Sequence, residues 1–197
     1  MCLSACVEGD IALEFTDTDH VVSRSAIHLS HPAITRLGVA PAALCGAGRV
    51  EETAEGHVCF GTARGDVDTL MAGLVDLGGI GGEVDLSEAL TVRRLGSDRL
   101  RVSLDIEALV MAYRAADPGM LGAMLARQAS HGASGTLVIR LRAADIVGTT
   151  GGVSVDGREA FVAIPAALFT EADPDFGGPF ITVLELREGC TFGLFCE

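Results

Sequence analysis

From Arg99 to Ile106 the chain alternates without a break: Leu100, Val102, Leu104 and Ile106 point one way, Arg99, Arg101, Ser103 and Asp105 the other. Successive side chains leave opposite faces of a β-strand, so this period of two predicts a strand with one buried and one wet face. A run through Ala89 to Leu95 precedes it as its hairpin partner. Asp105 is placed to cap a helix carrying Leu109, Val110 and Tyr113. Asp117-Pro118 interrupts and restarts that helix, and Met120, Leu121, Met124 and Leu125 continue its apolar stripe.

The same reading finds hairpins along most of the chain. Leu3, Ala5, Val7 and then Ile11, Leu13, Phe15 alternate around a turn at Glu8-Gly9-Asp10, and residues 20–30 form a further strand. Ser30-His31-Pro32 starts a short helix that Gly38 stops. Val50 to Arg64 fold around Glu55-Gly56, with Val58 and Phe60 on one face. Asp66 then caps a helix carrying Val67, Leu70, Met71 and Leu74, ended by Gly78-Gly79. TLVIRLR from Thr136 alternates cleanly, VSVDGREAFVAI folds back on Asp156-Gly157, and residues 180–187 and 190–197 flank Glu188-Gly189. The predicted fold is α+β: mainly antiparallel sheets built from β-hairpins, with two substantial helices packed on them, in one domain over 1–197.

Composition narrows the classes of function. All 14 basic residues are Arg, consistent with a GC-rich bacterial or viral genome, and they stand against 27 acids for a net charge of −13. That excess favours solubility and repels polyanions, so nucleic acid is a disfavoured partner. Apolar runs fall short of the ~20 residues of a membrane-spanning helix. The opening MCLSACVEGD lacks a basic region and meets acid at Glu8, so the expectation is no secretory signal and a cytoplasmic, intracellular protein. In that setting the six cysteines read as small buried hydrophobes; the spacings Cys2/Cys6 and Cys190/Cys196 do not match a zinc finger.

No GxSxG, HExxH, GxxxxGK[ST] or GxGxxG motif occurs, and the glycines of 77–82 follow a helix instead of opening one. Asp17, Asp19 and His20, and Glu171, Asp173 and Asp175, read as solvated turns and not as metal sites. His131, in the SHGASG loop, reads as part of a helix exit, and Pro32 argues against His28 and His31 sharing a metal. No cofactor and no metal is expected. Two features remain. Arg93, Arg99, Arg101, Arg140 and Arg142 lie at outward strand positions and would form an anion-binding patch if their strands were neighbours. In the terminal hairpin, Phe180, Ile181, Val183, Phe192, Leu194 and Phe195 make both faces apolar, which calls for a covering layer or a second subunit.

The order strand, helix, hairpin, helix, hairpins over about 57–164, with VSLDIEALVMAYRAA running from strand straight into helix, resembles one domain of a DNA sliding clamp. That likeness implies a clamp-like accessory factor in DNA metabolism, against which the absence of Lys and the negative charge count. A small enzyme or ligand-binding protein with a pocket assembled from scattered residues is a third reading. The expectation adopted is a non-catalytic assembly or binding subunit of a bacterial or viral complex, acting through contact with a protein partner or with itself as a homo-oligomer.

Overall fold

The computed structural model describes residues 7–38, 40–78, 83–115, 135–169, 171 and 173–186. Strands β1 (Val7–Phe15), β2 (His20–Ser30), β3 (Arg49–Thr53) and β4 (Gly56–Asp66) come first, with α1 (His31–Leu37) and α2 (Pro41–Leu44) between β2 and β3. Then follow α3 (Val67–Met71), β5 (Leu74–Asp76), β6 (Glu83–Asp85), β7 (Leu90–Arg94), β8 (Arg99–Leu104) and α4 (Ile106–Ala115). The remainder holds β9 (Thr136–Arg142), β10 (Asp145–Thr149), β11 (Gly152–Val153), β12 (Glu159–Pro165), a 3-10 turn at Ala166–Phe169, and β13 (Phe180–Glu185). The strands build a seven-stranded sheet in the order β11-β12-β9-β1-β2-β4-β3, a four-stranded sheet β10-β13-β8-β7 and the ribbon β5-β6.

This mostly β architecture corrects the expectation of two substantial helices lying on a sheet. The helix expected to run from Asp66 to Gly78 stops at Met71. Gly73, at φ 83°, reverses the chain there, and a Cβ on it would stand 2.3 Å from the Ser87 backbone. Leu74 and Val75 therefore leave helical spacing and enter β5. Of the described helices only α4 exceeds two turns, and the continuation expected at 118–125 lies outside the described residues. The first helix in the element order behind the clamp resemblance, α3, is five residues long.

A second correction concerns the opening hairpin. Glu8-Gly9-Asp10 is not a turn: β1 runs straight through it, antiparallel to β2 from Val7↔Leu29 to Phe15↔Val21 and parallel to β9 from Glu8↔Thr136 to Glu14↔Arg142. Gly9 serves close approach, since a Cβ there would meet Leu137 at 2.9 Å. The real turn comes at 16–19, where the Asp17 carboxylate accepts the backbone N–H of Asp19 and of His20, each at 2.8 Å. Asp side chains mimic a backbone turn in this way.

The two large sheets face each other across the main core. Leu13, Phe15, Val21, Leu141 and Ala160 of the seven-stranded sheet pack in one cluster with Leu90, Val92, Leu100, Val102, Leu104, Phe180 and Leu184 of the four-stranded sheet. Strand β8 alternates as its sequence requires, with Leu100, Val102 and Leu104 buried and Arg99 and Arg101 exposed. The Asp105 carboxylate caps α4 through the Ala108 N–H at 3.0 Å, and Ile106 and Val110 of that helix pack with Ile164 and Phe169. Between the sheets lies an apolar cavity of about 130 Å³, its lining including Ile11, Val102, Ile139 and Phe180.

Two inward positions of β2 are serines where apolar residues would be expected. The Ser23 hydroxyl donates to the Asp76 carbonyl, and that of Ser25 to the Leu77 carbonyl at 2.7 Å. Buried hydroxyls need such partners, and these two tie the end of β5 to the seven-stranded sheet.

Candidate functional site

The register of the four-stranded sheet brings part of both sequence-predicted sites onto one outer face. Arg93 of β7 stands directly opposite Arg101 of β8, and Arg101 opposite Val183 of β13. One step along, Thr91, Ser103 and Ile181 form the next row, and beyond Arg101 comes the pair Arg99↔Glu185. Arg99 donates to Glu185 at 2.9 Å. Arg93 and Arg101 have no carboxylate partner among the described residues, although like charges directly opposite on a sheet repel. With Thr91 and Ser103 they line a depression of about 300 Å³.

Ile181 and Val183 are half-buried in the middle of this face, and Val147, at a register shift in β10, is 49% exposed. Asp145 pairs with Glu185 on the margin formed by β10 and β13. The face therefore reads across as acidic margin, apolar centre and basic margin. Phe180 is not on it: at 2% exposure it points inward and belongs to the core. Phe192, Leu194 and Phe195 lie outside the described residues, as does His131.

Arg140 and Arg142 are not neighbours of the other three, because β9 belongs to the seven-stranded sheet. There they join a charge network that the sequence did not disclose. The Arg140 Nε donates to Asp10 at 2.7 Å and its Nη1 to Glu159 at 2.6 Å, while the Arg142 Nε donates to the other oxygen of Glu159 at 2.7 Å. Its hydrogen bonds to the Asp10 and Glu159 carboxylates hold the Arg140 guanidinium even more firmly protonated than usual. Glu159 is buried, 8% exposed. It is directly opposite Arg142, but that pairing follows from strand register and not from sequence distance.

Two more arginines share that outer face, Arg24 bound to Glu14 and Arg49 bound to Glu51, with the Arg49 guanidinium 4.9 Å from the Phe60 ring. The signal for Arg24 was present as an outward position in the strand over 20–30. Together these residues surround a groove of about 880 Å³ whose floor includes Ala12, Ala26 and Thr62. Among the described residues its lining holds no histidine or cysteine.

Elsewhere the polar candidates have structural roles. The His20 Nδ1 lies 2.9 Å from Asp17, whose hydrogen bond and negative charge raise the histidine pKa above its ordinary value. Asp175 accepts the Gly177 N–H at 3.0 Å as a turn carboxylate does. His31 stacks edge-on with His57 at 5.6 Å between ring centres.

Cys45 and Cys59, read from sequence as buried hydrophobes, are both fully buried but joined as a disulfide, with Cα atoms 5.2 Å apart. It fastens the end of α2 to β4 beside the groove.

No family model matches the chain, and no curated protein matches it. Among solved structures, the folded domain of the LppM protein of Mycobacterium tuberculosis, determined by NMR, is similar at a TM-score of 0.48. The two share 9% identity over 94% of this chain and 92% of that one. A likeness of that degree carries no statement about ligand, partner or location.

Proposed function

We propose that this chain is a non-catalytic binding module that docks a second copy of itself through the outer face of the four-stranded sheet. The observation that carries this reading is the row Val183, Arg101, Arg93, in which two guanidinium groups with no carboxylate partner among the described residues adjoin a half-buried apolar centre. Leaving like charges opposed costs stability unless an anionic surface meets them. The β10 edge of the same face carries the exposed Asp145, next to Glu185, which is held by Arg99. A two-fold axis near Val183 would set the acidic margin of one copy on the basic margin of the other. Such self-complementarity is what a symmetric dimer requires.

Light scattering over a concentration series tests this reading. Wild-type protein is expected to shift from monomer to dimer mass, and the Ile181→Ser, Val183→Ser double variant to remain monomeric while folded. A monomer mass for the wild type throughout, or equal dimerisation by the variant, would remove the proposal. The Cys45–Cys59 bond further supports a working location where disulfides persist, in preference to the reducing cytoplasm expected from sequence.

A further inference from the structure

We propose that the groove over the outer face of the seven-stranded sheet is a separate binding site for a small polar molecule bearing an oxyanion group, phosphate or carboxylate. Its volume of about 880 Å³ falls within the range of roughly 300–1,000 Å³ typical of small-molecule sites. Room over the sheet arises because Ala12 and Ala26 occupy outward positions in its middle, where longer side chains would fill the space. Four arginines enter from three strands: Arg24 on β2, Arg49 on β3, and Arg140 and Arg142 on β9 around the buried Glu159.

The hydrogen bonding explains why this set is suited to an anion. Glu159 and Asp10 engage the Nε atoms of Arg140 and Arg142 and one terminal nitrogen of Arg140. Both terminal nitrogens of Arg142 and the second of Arg140 have no acceptor among the described residues. The carboxylates thus fix the guanidinium planes and leave donors over, a preorganised fork of the kind that recognises phosphate or carboxylate. Counting Glu14 and Glu51, which pair with Arg24 and Arg49, five acids stand against four arginines around the groove, so an anion is attracted through the free guanidinium N–H donors and not through net charge. A small anion meets less repulsion from the net charge of −13 than a polyanion does.

The test is calorimetric titration of the full chain with inorganic phosphate, glucose 6-phosphate and citrate at constant ionic strength, with sodium chloride as the control. Saturable binding of at least one oxyanion is expected, tightest for glucose 6-phosphate if the natural group is a phosphate ester and for citrate if it is a carboxylate. Arg142→Gln and, separately, Arg24→Gln are each expected to weaken binding about tenfold, equivalent to about 1.4 kcal/mol. Arg93→Glu, on the other sheet, is expected to leave it unchanged, which separates this site from the docking face. Heats no different from chloride, or binding indifferent to both Arg142→Gln and Arg24→Gln, would overturn the proposal.

Discussion

The groove on the seven-stranded sheet and the outer face of the four-stranded sheet treat their arginines differently. On the seven-stranded sheet Arg24, Arg49, Arg140 and Arg142 each contact a carboxylate, and Glu159 is buried between two of them. On the four-stranded sheet Arg99 has Glu185, but Arg93 and Arg101 face one another with no such partner among the described residues. A guanidinium held by carboxylates is positioned; one left unpaired is available. The first arrangement suits a site that must keep its shape before a small ligand arrives, because preorganisation lowers the cost of binding. The second suits a surface completed by another molecule.

The seven-stranded sheet is also covalently fastened, by Cys59 on its inward side, and removing that link has the largest expected effect. The disulfide closes a loop with a sequence separation of 14, for which the chain-entropy model gives about 3 kcal/mol. Reduction, or the Cys45→Ala, Cys59→Ala double substitution, should lower unfolding stability by that order in urea titration. Peptide mapping with a thiol-alkylating reagent should find Cys45 and Cys59 blocked before reduction and labelled after it.

Glu159→Ala comes next. It leaves Arg140 with Asp10 and removes the carboxylate that anchors the Arg142 Nε, so a loss of about 2 kcal/mol is expected from breaking a largely buried ionic pair. A loss under half of that would mean the paired face is less fixed than the contrast requires.

Arg93→Glu should act with the other sign. It replaces a like-charge pair by an opposite-charge pair across Arg101, which is worth roughly 0.2–1 kcal/mol of added stability, while abolishing self-association. Stability and docking moving in opposite directions would separate an interface residue from a structural one.

The smallest effect concerns His20, exposed at the turn before β2. Its pKa is raised in the folded chain by Asp17, so its contribution is fully present below the unfolded value near 6.5 and fades as pH rises through the folded value. An NMR titration should place His20 above that ordinary value and return it there in Asp17→Asn.

Legibility in the sequence followed the range of the interactions. The β3–β4 and β7–β8 hairpins, the Ser30–Gly38 helix and the cap at Asp105 were readable because each depends on alternation or on a neighbour within a few residues. The pairing of β1 with β9 joins residues about 130 positions apart, and only that contact reveals Gly9 as a strand residue instead of a turn. Likewise the helix expected past Met71 looked continuous because Leu74 falls at helical spacing, whereas the close approach of Ser87 to Gly73 decides the matter. For the sites, the outward arginines could be named one by one, but their division between two sheets, and the carboxylate each does or does not meet, depend on strand order.

The contrast between the faces is tested most directly by methyl NMR of the wild-type chain at rising protein concentration. Progressive shifts or broadening at Val147, Ile181 and Val183, with the signals of Ala12 and Ala26 in the groove unchanged, is the expected result. Shifts confined to the seven-stranded sheet, or no dependence on concentration at either face, would contradict it.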